Sequence, residues 1–372
     1  MKILLIVWNF YPGTAYANRT KATLRGMKEA GCEAEILSIK PVVEKEQECV
    51  NHQSISGGSL LSTVIGTLHD LMLLRRVIKQ YDAVYCSTDN LRVVSIALQK
   101  TRKYGIPVVH ERTEMPDIFY GSSAKEQRRL KHYLHKVALF DKTFVISNPI
   151  RDYFIENGVA AEKLHIYPMI VDPHRFDGMR KEEVGYKYMA YCGNLSNSKD
   201  GVADLIEAYG RSEAKNSHKL MLIGARPSTE EQKVYDDLVQ RYTIQEKVIF
   251  RGQVTRDEMP QILINADLLL LCRPNNRQAL GGFPTKLGEY LSTGNPVLVT
   301  RVGDIDKYIV DGENGYLSEP DNVDEFCAKL NHIVSHYDCA KKVGKRGQEL
   351  VKGAFNYSIQ THKIVDIIKT LI

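Results

Sequence analysis

Short, uniformly apolar runs alternate with longer amphipathic stretches along nearly the whole chain. Runs at 3–7, 34–37, 83–86, 108–110, 144–146 and 165–167 are apolar at successive positions, as expected of strands covered on both faces. Between them, stretches at 18–28, 60–79, 91–104, 124–140 and 150–157 carry apolar residues at helical spacing. The pattern lapses into a charged, proline-containing linker at 172–187 and then restarts. Strands are expected at 188–192, 220–223, 248–250, 268–272 and 297–299, and helices at 202–212, 230–242, 259–264, 285–293 and 323–336. Alternation of this kind predicts parallel sheets with helices on both faces. The expected fold is therefore α/β, with two Rossmann-like, doubly wound domains facing across a cleft. Their bounds are 1–180 and 181–355, and a terminal helix within 356–372 packs back on the first domain.

Ligands of such folds bind at the C-terminal ends of the strands, and four stretches fall there. Gly13-Thr14 follows the first strand, where a glycine turn lets backbone approach a phosphate or sugar; a plain tight turn explains it equally. His110-Glu111 ends another strand. Its histidine is a candidate for a sugar hydroxyl or a leaving phosphate, and also for a satisfied core position. The third stretch, 193–201, reads GNLSNSKDG, with Lys199 ahead of a helix start. The fourth is RPNNRQALGGFPTKLGEYLSTG. Here an apolar strand runs through a loop with Arg273, Arg277, Gly281 and Gly282 into a helix that begins at Thr285. Free N–H groups at a helix start suit an anion, Lys286 adds a charge, and Glu289 one turn on could grip vicinal hydroxyls. Phosphate amides with a ribose carboxylate suggest a nucleotide, although a Gly-rich β-α-β turn needs no ligand.

Composition narrows the class. The chain has 372 residues, 43% hydrophobic and 26% charged, with net charge +5, values typical of a soluble protein of about two domains. The charge is uneven: residues 1–180 hold 25 Lys+Arg against 19 Asp+Glu, which hints at an anionic partner. Seven scattered cysteines without a CxxC pair exclude a zinc site and read as small apolar residues in a reducing compartment. The apolar start is too short for a signal peptide, and residues 60–78 are interrupted by charges, so no membrane span is expected. Asp304-Ile305-Asp306 resembles a metal-binding pair, but an N-cap accounts for an Asp there. Lys125, Arg128, Arg129, Lys131 and Lys136 share an amphipathic helix with Leu130, Tyr133, Leu134, Val137 and Phe140. That is a core helix with a basic face, and a candidate for an anionic membrane surface.

Taken in order, these motifs resemble the family-four retaining glycosyltransferases of the GT-B fold over essentially the whole chain. The resemblance rests on YPGTAYANRT, on the segment from Val145 through Ile170-Val171-Asp172, on GNLSNSKDGV and on VIFRGQV. GFPTKLGEYLSTGNPVLVTRVGDI and DGENGYL complete it. It implies transfer from a nucleoside-diphosphate sugar to a hydroxyl of a saccharide or lipid-linked acceptor, with retained configuration and without metal or other cofactor. It implies donor contacts from Gly13, Asn194, Lys199, Gly252, Gln253, Arg273, Gly282, Phe283, Pro284, Thr285, Lys286 and Glu289, and catalytic roles for His110 and Lys199. A cytoplasmic enzyme of bacterial surface-polysaccharide synthesis is expected, peripheral on the inner membrane face, with no nucleic-acid partner. Two departures stand out. The family often carries a second glutamate eight residues before Glu289, where this chain has Gly281, and an arginine where it has Asn194. They leave open a catalytically altered, nucleotide-sugar-binding partner protein. A nicotinamide-dependent oxidoreductase is disfavoured because no G-x-G-x-x-G follows the first strand.

Overall fold

The computed structural model of the protein describes residues 1–10, 14–40, 51–53, 66, 69 and 72–372. The chain forms two compact units: Met1–Ile170 together with Tyr357–Ile372, and Val171–Asn356.

The first unit is built on a parallel sheet of β1 (Lys2–Val7), β2 (Glu33–Ser38), β3 (His52–Gln53), β4 (Ala83–Ser87), β5 (Val108–Arg112), β6 (Lys142–Val145) and β7 (Leu164–Ile166). Their spatial order is β3-β2-β1-β4-β5-β6-β7. Because side chains alternate along a strand, β1 feeds two cores. Ile3, Leu5 and Val7 pack with Leu24 and Met27 of the helix Ala15–Glu29 and with Ile364, Val365 and Ile368 of the helix Tyr357–Lys369. Leu4 and Ile6 pack on the other face with Val93, Val94, Ala97 and Leu98 of the helix Leu91–Tyr104. That helix begins where the Asn90 side chain accepts from the amides of Arg92 and Val93, and stops at Gly105 in the left-handed region. The terminal helix lies close on the first one: a Cβ at Gly26 would stand 2.6 Å from Thr361 Cβ.

The second unit repeats the plan with β8 (Tyr188–Cys192), β9 (Lys219–Ile223), β10 (Val248–Gly252), β11 (Leu268–Leu271), β12 (Val297–Thr300) and β13 (Tyr316–Ser318). The order is β10-β9-β8-β11-β12-β13. From β8 the chain steps outward one way through β9 and β10, then returns to β8's other side as β11. The strand order therefore reverses between β8 and β11, and the C-terminal ends of strands at such a reversal are where α/β sheets of this kind bind ligands.

The doubly wound α/β expectation holds, and three details differ from it. The division falls at Ile170, not at 180, because the segment read as linker is bound to the second unit. Val171 pairs with Asn356, Arg175 reaches Glu289, and Lys181 reaches Asp267 at 2.6 Å. The loop expected between Arg273 and Gly282 contains a short helix, Arg277–Gly281, whose Asn276 cap accepts from the Ala279 amide. The strands β3 and β13 and the 16-residue helix Tyr337–Lys352 were not expected at all. Most of the helix expected at 60–79 lies outside the described residues.

The unforeseen helix contains Gly344 and Gly347, which lower helix propensity but serve packing. A Cβ at Gly344 would stand 2.4 Å from the Asn295 carbonyl carbon, and one at Gly347 would stand 2.3 Å from the Asn314 carbonyl oxygen. Gly344→Ala should gain about 1 kcal/mol of helix propensity and lose about 1–3 kcal/mol to overpacking against backbone. The net expectation is a destabilised protein in denaturant unfolding. A variant as stable as wild type or more so would show that the helix does not pack this closely.

Candidate donor site

The candidate site lies at the C-terminal edge of the second sheet, where the strand order reverses. Three strands end side by side in glycines with positive φ: Gly193 after β8, Gly224 after β9 and Gly252 closing β10. Gly193 N–H donates to the Ile223 carbonyl at 2.8 Å, and Gly224 N–H donates to the Gly252 carbonyl at 3.0 Å. No side chain fits between the first two, since a Cβ on Gly224 would lie 1.8 Å from the Gly193 carbonyl oxygen. The result is a ledge of bare backbone. Gly224 was not singled out in the sequence because a lone glycine after a strand has no distinctive spacing. Gln253, next to the ledge, is exposed.

Beside the ledge stands a buried carboxylate. Asp200 is 2% exposed and ends the one-turn helix Asn197–Asp200, which also carries half-buried Lys199. Lys286 Nζ donates to Asp200 Oδ2 at 2.7 Å and to the Tyr191 hydroxyl at 3.0 Å. The Tyr191 hydroxyl in turn stands 2.8 Å from Asp200 Oδ2 and 2.7 Å from the Asn194 carbonyl. Arg273 Nε lies 3.7 Å from Asp200 Oδ1. Burial opposes the Asp200 charge, but Lys286 and then Arg273 hold the carboxyl below its ordinary value. Burial also lowers the Lys286 ammonium, against the pull of Asp200. A Cβ on Gly193 would meet Lys286 Nζ at 2.1 Å, so this glycine leaves the space that the ammonium fills.

The expected loop-fed helix is Thr285–Ser292, with Pro284 at its N-cap. Tyr290 fastens it to β8, its hydroxyl accepting from Cys192 N at 2.7 Å. Asn276 Nδ2 donates to the Ser198 carbonyl at 2.7 Å, so the loops after β8 and β11 are joined directly. Glu289 reaches the site edge half-buried, with Oε1 held by Arg175, which also donates to the Arg256 carbonyl at 2.8 Å. Arg175 carried no signal in the sequence, its partner being 114 positions away.

Known proteins resemble this chain in sequence and in fold. The glycosyl transferases group 1 model matches residues 177–350, and the glycosyltransferase family 4 model matches residues 17–175. The chain belongs to these glycosyltransferases. It is 24% identical over 234 residues to the N-acetyl-alpha-D-glucosaminyl L-malate synthase of Bacillus anthracis, covering 63% of this chain and 57% of that protein. It is also 24% identical over 237 residues to the alpha-1,3/1,6-mannosyltransferase ALG2 of Dictyostelium discoideum, covering 62% and 53%. The chain thus spans little more than half the length of these two relatives. Among solved structures, Anabaena Alr3699/HepE in complex with UDP-glucose matches with TM-score 0.77 at 16% identity, over 100% of both chains. Sucrose-phosphate synthase of Thermosynechococcus elongatus matches with TM-score 0.78 at 16% identity, over 100% of this chain and 99% of that one. At these identities the structures show the shared GT-B fold.

Several residues expected in the glycosyltransferase site stand elsewhere. Arg273 is 3% exposed and donates from Nη1 to the carbonyls of Gly282 and Ala279, so it braces the loop rather than facing a phosphate. Phe283 is buried edge-on to Tyr308 and beside Phe355. Gly201 is part of the packing, since a Cβ there would lie 2.1 Å from the Cys272 carbonyl oxygen. Gly13 lies outside the described residues. Asp304 makes no side-chain cap; it pairs with Lys307 at 2.9 Å.

His110 is the clearest correction. It is 0% exposed, stacked on Phe140, and both ring nitrogens are taken. Nδ1 donates to the Cys86 carbonyl and Nε2 accepts from the Tyr133 hydroxyl, each at 2.9 Å. Such a ring cannot reach a substrate. Burial pushes its pKa down to about 4. The unfolded chain, with an ordinary value near 6.5, takes up this proton first. His110 therefore costs no stability above pH 6.5, and favours unfolding increasingly as pH falls towards about 4. Ring-nitrogen NMR should find the imidazole neutral at pH 5.5. Titration near 6.5 would return the ring to solvent.

Proposed function

We propose that this chain is a retaining glycosyltransferase that moves a sugar from a nucleoside-diphosphate sugar to a hydroxyl of a saccharide or lipid-linked acceptor. The observation that carries the reading is the backbone ledge of Gly193 and Gly224 beside Lys286, where the strand order of the second unit reverses. The close backbone approach that these glycines allow, the helix start at Thr285 and one held ammonium are suited to a diphosphate. In this reading Lys199 supplies a second cation and stabilises the departing charge, Glu289 takes the ribose hydroxyls with the oxygen Arg175 does not hold, and Gly252 and Gln253 border the base. The acceptor oxygen bonds to the anomeric carbon on the face from which the diphosphate leaves. The acceptor proton passes to the leaving phosphate oxygen, and no metal takes part. Positioning and electrostatics then supply the catalysis.

Thermal shift with a panel of nucleotide-sugars, followed by product detection in EDTA, tests this directly. Lys199→Ala should lose about 1.5–3 kcal/mol of nucleoside-diphosphate affinity, the scale of a hydrogen bond to a charged group, and little affinity for the free nucleoside. Equal losses for both would remove Lys199 from the diphosphate. Activity abolished by EDTA and restored by magnesium or manganese would overturn the metal-free step.

For the acceptor we infer a place on the cytoplasmic face of an anionic membrane, served by the first unit. The helix Ala124–Val137 buries Leu130, Tyr133, Leu134 and Val137. Lys125, Arg128, Arg129 and His132 line an open cleft of about 510 Å³ with Leu91. The three long cations there form no ion pair among the described residues. Phe119, 55% exposed, lies under the Arg112 guanidinium. Each cation near an anionic surface contributes about 1 kcal/mol, enough together for reversible docking. No described helix is long and apolar enough to cross a membrane. Co-sedimentation with phosphatidylserine-containing vesicles should fall with salt and with charge reversal at Arg128 and Arg129. Wild-type protein that ignores such vesicles at low salt would end the docking idea.

A further inference from the structure

Lys286 is the cation best placed beside the glycine ledge, and it already has an anion. An ammonium has three donors. One goes to Asp200 Oδ2 at 2.7 Å and one to the Tyr191 hydroxyl at 3.0 Å. Its side chain keeps 16% of its surface exposed, against 2% for Asp200, so the lysine borders solvent and the carboxylate lies behind it. We propose that Asp200 is a counter-charge built into the donor corner, holding Lys286 in place while cancelling part of the attraction that a bound diphosphate feels. This rests on the donor reading above and goes beyond it by assigning a role to a residue that touches no substrate.

The geometry separates position from charge. Asp200 fixes Lys286 through one oxygen, and that contact needs only an acceptor, which an amide oxygen also supplies. The charge acts at longer range. Asp200 and a diphosphate on the ledge would be two anions sharing one ammonium, and at a largely buried position their repulsion is weakly screened. Arg273, with Nε 3.7 Å from the other Asp200 oxygen, offsets part of that charge, but its exposed area is small and its Nη1 is directed at the Gly282 and Ala279 carbonyls, so it offers a diphosphate little in return. With Asn194 where an arginine often stands, the corner carries a modest net charge. Asp200 is thus a positioning residue that also limits affinity for the diphosphate.

Asp200→Asn keeps an acceptor of the same shape and removes the charge. Calorimetric titration with UDP, GDP and ADP, each beside its nucleoside, reads the effect. For the diphosphate that wild type binds, Asp200→Asn should tighten affinity about three- to tenfold, and the nucleoside should bind as before. Unchanged or weaker diphosphate binding in folded Asp200→Asn overturns the proposal, and so does an equal gain for the nucleoside. Asp200→Ser, smaller and equally neutral, carries the same test if the asparagine variant is not recovered folded. Wild type that binds none of the three diphosphates defeats the donor reading itself, an outcome distinct from either result with the variant.

Discussion

A carboxylate removed from water without partners costs several kcal/mol, and Asp200 is 2% exposed. The second unit is arranged to meet that requirement. Lys286 comes from the helix after the donor loop, Tyr191 from β8, and Arg273 from the residues just past β11. Arg273 passes the constraint outward, gathering the carbonyls of Ala279 and Gly282. Its own carbonyl accepts from Thr300 Oγ1 at 2.8 Å, at the end of β12. Loops that leave three different strands are thereby held in one arrangement before any ligand arrives. Pre-organisation of this kind is what a site acting through positioning and fixed dipoles requires.

The first unit solves a similar problem with the signs exchanged. Arg19, on the helix after β1, is buried and donates from Nε to Glu111 Oε1 at 2.7 Å. It also donates to the Pro168 and Tyr167 carbonyls at 2.7 and 2.9 Å, with the Tyr167 ring 4.3 Å from its guanidinium carbon. Ser87 Oγ donates to the other Glu111 oxygen at 2.9 Å. This ties together the ends of β4, β5 and β7. In both units the buried charge sits at the C-terminal edge of a parallel sheet. There the ladder stops, and backbone carbonyls and amides need other partners. A guanidinium with five donors, or a carboxylate with two oxygens, can serve several of them at once.

Most of the strands were legible because two-sided burial demands apolar residues at successive positions, and few other structures do. The helix Leu91–Tyr104 was legible to the residue, since Asn90 and Gly105 mark its ends. The helix Tyr337–Lys352 was hidden by Gly344 and Gly347, which look like breakers locally. Their purpose is visible only once Asn295 and Asn314 stand against them. His110 shows the opposite failure. A histidine at a strand end reads alike whether it faces solvent or core, and the deciding neighbours, Tyr133 and Phe140, lie on a distant part of the chain. Lys286 was visible as a charge. Asp200, 86 positions away, was not visible as its partner, and neither was Arg175 as the partner of Glu289. Sequence periodicity reports what an element buries, whereas the pairing of isolated charges depends on the fold.

Those hidden pairings change how the departures from the family pattern are weighed. By residue type alone, Asn194 in place of an arginine and Gly281 in place of a glutamate suggest a weakened site. Residue type, however, overstates the charge that the remaining cations bring. Arg273 is committed to the loop, Lys286 is shared with Asp200, and Arg175 is committed to Glu289. Asn194 is exposed, with its carbonyl 2.7 Å from the Tyr191 hydroxyl, so it stays tied to the same cluster through its backbone. A corner of modest charge must rely more on backbone dipoles, and that is where the glycines fall. A Cβ on Gly224 would collide with the Gly193 carbonyl, and one on Gly193 would collide with the Lys286 ammonium. Fixed backbone needs no side-chain ordering when a ligand approaches, and it carries no full charge to hold the ligand afterwards. A site organised in this way depends more on the shape of its backbone than on its count of basic residues, so the loss of one arginine from the pattern is a weak argument against function.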